Sequence, residues 1–137
     1  MAGSCFFDTN VLICIASGNA PKAQRAVELI AEGGKISIQV LNEITSFARR
    51  KMGMSWNETR SFLSPIRGLL SVESMTVAMH EEALILAERY MISVYDAAII
   101  ASALEADCNV LFSGDMHDRL VIRGKPRVVN PFRHTHQ

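Results

Sequence analysis

The chain has 137 residues, of which 49% are hydrophobic and 20% charged, which fits one compact domain over 1–137 with a real core. Its formal net charge is +0, which excludes a molecule that attracts polyanions through overall charge. No apolar run approaches the roughly 20 residues needed to span a bilayer, and the first one is too short, with no basic residues before it, for a signal peptide, so the expected location is the cytoplasm.

Short β-like apolar runs alternate with helical patterns along the chain. Ser4 to Phe7 reads as a strand, and Val11 to Ala16 as a short helix ended by Ser17-Gly18-Asn19. Pro21 suits the first turn of a helix that runs to about Glu32, with Ala23, Ala26, Val27 and Ile30 as its apolar stripe. Gly33-Gly34 stops it. Lys35 to Ile38 is the second strand, followed by a helix from about Gln39 to Met52. Ser55-Trp56-Asn57-Glu58 matches a capping box and predicts a further helix, which Pro65 weakens or kinks before Leu70. Val72 to Ser74 is a candidate third strand. Helical patterns cover about Val77 to Tyr90 and Val94 to Glu105, and strands are expected at Val110 to Ser113 and Arg127 to Val129. Strands alternating with helices predict an α/β fold, a parallel sheet between helical layers. Cys5, Cys14 and Cys108 are odd in number and lack C-x-x-C spacing. They read as reduced, semi-buried thiols rather than a disulfide framework or a zinc site. The seven methionines read as fillers of core or interface gaps.

Four acids sit where the chain is otherwise apolar: Asp8, Glu43, Asp96 and Asp115. Acids are rarely buried unless paired or metal-bound, and carboxylates brought together resist ionisation unless a cation joins them. Each has its own structural explanation. Asp8 suits the N-cap of the first helix. Ser93-Val94-Tyr95-Asp96 is itself a capping-box pattern. Asp115 follows Gly114 in a turn, and Glu43 suits a solvated helix face. Those explanations do not require all four to share a location. Yet Asp8 and Asp115 fall just beyond strand ends, and Glu43 and Asp96 fall in the first turns of helices. Ligands of open parallel folds bind beyond the carboxyl ends of the strands, so the four can converge at one edge of one sheet. Thr9, Asn10 and Ser113 are candidates for hydroxyl or amide groups that hold a neighbouring carboxylate in one orientation, and Asn10 is also a candidate donor to a phosphate oxygen. Asp118 is a possible auxiliary acid. Asp107 and the four histidines read as surface residues. The basic run Arg49-Arg50-Lys51, and Arg119, Arg123, Lys125, Arg127 and Arg133 after the last acid, read either as solvated surface or as a rim that holds phosphates near an acidic centre.

Phe6-Phe7-Asp8-Thr9-Asn10-Val11-Leu12, Leu41-Asn42-Glu43, Tyr95-Asp96-Ala97-Ala98-Ile99-Ile100-Ala101-Ser102-Ala103 and Leu111-Phe112-Ser113-Gly114-Asp115 resemble, in order, the four acidic motifs of PIN-domain nucleases. The ending Val128-Val129-Asn130-Pro131-Phe132 is similar to that of a VapC-like toxin subgroup. The resemblance spans nearly the whole length. It implies a PIN-like three-layer α/β/α sandwich with a central, mostly parallel sheet. It also implies a metal-dependent endoribonuclease in which Asp8, Glu43, Asp96 and Asp115 bind Mg²⁺ or Mn²⁺. Expected partners are an RNA substrate, a cognate antitoxin and a second copy in a homodimer, for which the Trp56 to Leu70 helix offers an apolar face. Arg49, Arg50, Arg119 and Arg123 are the expected RNA contacts. Gly114 departs from the pattern, since many such toxins carry an acid there, which leaves fewer auxiliary carboxylates for a second metal. The chemistry agrees: oxygen ligands suit Mg²⁺ or Mn²⁺, and one or two such ions can activate a water and stabilise the leaving oxygen at phosphorus. The alternatives are a non-catalytic PIN-like module that binds RNA or a protein, and a phosphotransfer enzyme with an Asp nucleophile, which Asp8-Thr9-Asn10 suits poorly because it lacks a D-x-D pair.

Overall fold

Five strands of three residues each form the centre of the molecule: β1 (Cys5–Phe7), β2 (Lys35–Ser37), β3 (Ser71–Glu73), β4 (Val110–Phe112) and β5 (Arg127–Val129). The computed structural model describes residues 5–116 and 126–132. All strand pairs are parallel, in the order β3-β2-β1-β4-β5. A parallel sheet covered on both faces needs continuous apolar runs rather than alternation. Phe6, Phe7, Ile36, Leu111 and Val128 accordingly have no solvent exposure, while edge strand β3 is exposed at Ser71 and half-buried at Val72 and Glu73. Gly34 (φ +147°) permits close approach of β2 to β1, since a Cβ there would lie 2.6 Å from Phe7 Cε2 and 2.9 Å from Cys5 Sγ.

Among the described residues six helices connect the strands: α1 (Thr9–Ile13), extended by a 3₁₀ turn at Cys14–Ala16, then α2 (Ala20–Ala31), α3 (Ile38–Arg50), α4 (Trp56–Leu69), α5 (Val77–Tyr90) and α6 (Val94–Glu105). Their starts follow from short polar side chains that accept otherwise unpaired first-turn N–H groups. Asn19 accepts from the Lys22 N–H, Ser37 from Val40, Ser55 from Glu58, Thr76 from Met79 and Ser93 from Asp96. Several boundaries differ from the sequence expectation by one or two residues: α1 already starts at Thr9, α3 ends at Arg50 and β4 ends at Phe112. Ser37 caps α3, so Ile38 opens the helix instead of ending a strand, and the third strand starts one residue earlier, at Ser71. Pro65 does not end α4. The Ser61 carbonyl loses its helical N–H partner there, but both residues are exposed and water can satisfy it.

Chain order sets the layers. From β1 the chain steps outward through β2 to β3, then returns to the other side of β1 for β4. Right-handed crossovers put α1 to α4 on one face and α5 with α6 on the other. Packing agrees, α5 lying against α6 while α1 and α4 lie against α3. The result is an α/β/α sandwich whose sheet is wholly parallel. Helix α6 is buried continuously from Ala97 to Ala103, as expected of a helix covered on all sides. The direction of strand addition reverses between β1 and β4, so the carboxyl ends of these two strands flank the crevice where such sheets place their sites.

Candidate active site

Asp8 continues β1 by one rung, its N–H donating to the Phe112 carbonyl at 2.9 Å, and it is 5% exposed. Both carboxylate oxygens are held. Oδ1 accepts from the Thr9 N–H at 2.7 Å and Oδ2 from the Ser113 hydroxyl at 2.7 Å. Ser113 is itself fully buried, and its Oγ accepts from the N–H groups of Asp115 and Met116 at 3.2 and 3.1 Å. One hydroxyl thus orients Asp8 and shapes the turn that carries Asp115. The side chain of Asn10 secures the same turn, its Oδ1 accepting from the Gly114 N–H at 3.0 Å.

Glu43 reaches this edge from α3. The Thr9 hydroxyl donates to its Oε1, and Gln39 Nε2 donates to its Oε2 at 3.3 Å and to the Tyr95 carbonyl at 3.1 Å. Gln39 therefore ties Glu43 to the start of α6, where Asp96 stands in the first turn. Ser93 caps that turn with one bond, to the Asp96 N–H. The reciprocal bond that completes the Ser55–Glu58 box is not made by Asp96, so capping leaves its carboxylate available. Among the described residues, neither Asp96 nor the exposed Asp115 accepts a side-chain hydrogen bond on its carboxylate.

The acids sense one another. Burial pushes the Asp8 carboxyl up to about 6, opposed by the Ser113 and Thr9 hydrogen bonds and reinforced by the negative charges of Asp96 and Asp115. Asp96 is also raised, first by burial, then by Asp115 and Glu43. Carboxylates that raise one another in a shared space are stabilised by a cation between them, and an all-carboxylate donor set suits Mg²⁺ or Mn²⁺. The residues present fit such an ion on these grounds. Among the described residues, no three His, Cys, Asp or Glu side chains form a coordination cage as they stand, so the carboxylates face a common crevice without closing on one point.

The structure also separates residues that share a sequence rationale. Arg49 lies in the last turn of α3, which runs away from the carboxyl edge of the sheet. Its guanidinium donates to the Met54 carbonyl at 2.6 Å and lies 4.1 Å from the centroid of the Trp56 ring, a tether between α3 and α4. Arg50 is exposed on the same turn. Asp118, Arg119 and Arg123 lie outside the described residues. In their place a cation not singled out from sequence stands by the acids. Lys22, from the first turn of α2, lines a cavity of about 320 Å³ with Asn10, Cys14, Gly114, Asp115, Asn130 and Phe132. Nothing local in the sequence marks Lys22, whose place depends on α2 docking against the turn after β5. Arg25 secures that docking by donating to the Pro131 carbonyl at 3.3 Å.

The family model described as the PIN domain matches residues 5–121. No curated protein matches the chain. Among solved structures, a chain of a toxin–antitoxin complex from Klebsiella pneumoniae is 24% identical with a TM-score of 0.73, covering 93% of this chain and 98% of that one. VapC20 of Mycobacterium tuberculosis, described as a sarcin–ricin loop cleaving toxin, is 21% identical with a TM-score of 0.67, covering 82% and 92%. A chain of VapBC2 from Rickettsia felis, bound to a DNA fragment from their promoter, is 17% identical with a TM-score of 0.62, covering 81% and 87%. These likenesses show a shared fold, and the family match takes in all four acids in one run. Sheet order, acidic crevice and family match agree: the chain belongs to the PIN-domain family.

Proposed function

We propose that this chain is a divalent-metal-dependent endoribonuclease that hydrolyses RNA phosphodiester bonds, and that it is the toxin of a toxin–antitoxin pair. The observation that carries the reading is the placement of Asp8, Asp96 and Asp115 around the crevice between β1 and β4, where burial first and neighbouring negative charge second raise the Asp8 and Asp96 carboxyls. Three acids kept in that relation destabilise the metal-free protein, and a bound cation reverses the effect. Membership of the PIN-domain family and likeness to chains of toxin–antitoxin complexes support the rest.

Asp8 and Asp96 are the direct ligands in this reading, and Asp115 binds directly or through water. A bound Mg²⁺ or Mn²⁺ supplies Lewis acidity at the scissile phosphate and lowers the pKa of a coordinated water. The protein's own contribution is placement. Thr9 and Ser113 fix both oxygens of Asp8, so its carboxylate needs no reorganisation when RNA arrives. Glu43, held by Thr9 and Gln39, orients the attacking water by accepting its hydrogen bond. The antitoxin covers the crevice with a basic side chain that substitutes for the cation. The molecule acts in the cytoplasm as one domain, and the exposed Trp56 and Leu69 of α4 lie in its homodimer contact.

Purified protein should cut RNA in Mg²⁺ or Mn²⁺, and Asp8→Asn should not; equal cleavage by the variant would remove the site assignment. The open spacing of the carboxylates favours a second reading, a PIN-like binding module without catalysis. Titration with Mn²⁺ separates the two, because only the nuclease needs binding that Asp8→Asn and Asp96→Asn weaken.

A further inference from the structure

The cavity at the start of α2 has a chemistry distinct from the acidic crevice beside it. It is framed by the first turn of α2, by Asn10 and Gly114, and by the Asn130–Phe132 turn. Lys22 brings a positive charge, its Nζ lying 5.7 Å from the centroid of the Phe132 ring. That ring face holds the ammonium by cation–π attraction without neutralising it. The second observation is Asn10. Its Oδ1 is occupied by the Gly114 N–H, while its Nδ2 is buried with no hydrogen-bond partner among the described residues. A buried amide donor without a partner costs about 1 to 3 kcal/mol, and such a cost persists where a ligand supplies the acceptor. Lys22 therefore offers a cation to a concave space whose wall at Asn10 carries an unpaired N–H beneath its surface, and the acceptor both lack is an anionic oxygen.

Asp115 decides which anion fits. It lines this cavity and also faces the other acids, so it stands at the boundary between the two. A free anion placed here is attracted by Lys22, repelled by this carboxylate and held by nothing else among the described residues. An RNA strand that crosses the boundary has one phosphate in the acidic crevice and the next in the cavity, where Lys22 offsets Asp115. We propose that this cavity is the subsite for the backbone phosphate adjacent to the scissile one, with Lys22 Nζ as its charged donor and the Asn10 amide in its wall. The assignment rests on the nuclease reading and adds the register of the strand: RNA enters past the start of α2, not along Arg49 and Arg50. It also gives the Lys22–Phe132 contact a role, that of keeping a flexible ammonium where the phosphate arrives.

The test uses the full chain in an Asp8→Asn background, which prevents cleavage, with a mixed-sequence, fluorescently labelled single-stranded RNA as probe. Lys22→Met keeps the aliphatic stem over Phe132 and removes only the charge. Loss of one phosphate contact should weaken binding about fivefold at low salt and reduce the slope of log affinity against log salt by about 0.7. Lys22→Arg should restore the slope, which a merely structural role of the side chain would not require. Asn10→Asp keeps the acceptor for Gly114 but replaces the unpaired donor with a charged oxygen, and should weaken binding when measured well below its own, lowered, melting temperature. If the parent binds RNA and Lys22→Met alters neither affinity nor slope, the subsite is wrong and the nuclease reading stands. If the parent binds no RNA, the nuclease reading fails and the subsite with it.

Discussion

The two halves of the acidic crevice are built differently. Asp8 and Glu43 have both oxygens held by neighbours, Thr9 serving each of them through its N–H and its hydroxyl. Asp96 and Asp115 are fixed through their backbone N–H groups, to Ser93 and Ser113, and their carboxylates accept no hydrogen bond among the described residues. The held half is a template, already in position and unable to relax away from its neighbours' charge. The open half can turn toward an arriving cation. Substitutions in the held half should therefore change stability and activity together, whereas changes in the open half should act mainly on metal binding.

Asp8→Asn should have the largest effect. The amide keeps the shape of the side chain and an acceptor for the Thr9 N–H, yet cleavage should fall more than about a hundredfold. Stability should move the opposite way. Burial raises the native carboxyl to about 6 from its ordinary value of 3.8, so between those values the native state binds more protons than the unfolded state. Its stabilising contribution is present below about 4 and is lost as pH rises through about 6. Without metal, the wild type should thus be less stable at pH 7 than Asp8→Asn by as much as about 3 kcal/mol, and the gap should close toward pH 4. Melting curves of both proteins across pH, with chelator, measure it. A constant gap would mean that Asp8 is not strained by its setting. Added Mn²⁺ should raise the melting temperature of the wild type at pH 7 and leave the variant nearly unchanged.

Ser113→Ala comes next and tests the template from its other side. The hydroxyl serves Asp8, Asp115 and Met116 at once with no exposure of its own. Its loss should cost about 1 to 3 kcal/mol and about ten- to a hundredfold in kcat/KM. Most of the kinetic loss should appear in kcat, since alignment and not RNA contact is lost. A change confined to KM would assign Ser113 to substrate binding instead.

The sequence carries these residues unequally, for physical reasons. Asp8, Asp96 and Asp115 are legible because each interrupts or ends an apolar run, and the capping side chains Asn19, Ser55, Thr76 and Ser93 mark helix starts locally. The sequence pattern places the start of α3 one residue late because Ile38 continues the apolar alternation of β2, and only the Ser37 cap reveals the helix. The tether of Glu43 to Thr9 is less visible still, joining residues 34 positions apart. Arg49 and Lys22 show where local reading ends. A run of basic residues looks like a nucleic-acid surface, yet Arg49 closes over Trp56. A single lysine after a proline looks like ordinary helix surface, yet tertiary docking sets it beside Asp115. Which cation stands beside an acid of the crevice depends on packing between distant segments, and no local pattern encodes that.

The smallest expected effect comes from adding to the open half. Gly114 is exposed, and a Cβ there would meet Phe132 Cδ2 at 3.5 Å and Asn10 Oδ1 at 3.6 Å, ordinary contact distances. Gly114→Asp should therefore be accommodated without displacing either neighbour. Its carboxylate joins Asp115 at the crevice, raising the ligand charge available to a cation. Mn²⁺ affinity should rise severalfold, while metal-free stability at pH 7 falls slightly from the added like charge. Both changes should be greater at pH 7 than at pH 4, where protonation quiets the cluster. Calorimetric titration with Mn²⁺ at the two pH values measures the first effect and melting curves with chelator the second. Tighter binding together with weaker metal-free folding would show that the crevice is limited by its count of negative ligands. Unchanged affinity with unchanged stability would show instead that position 114 lies outside the reach of the ion, and would confine the cation to Asp8, Asp96 and Asp115.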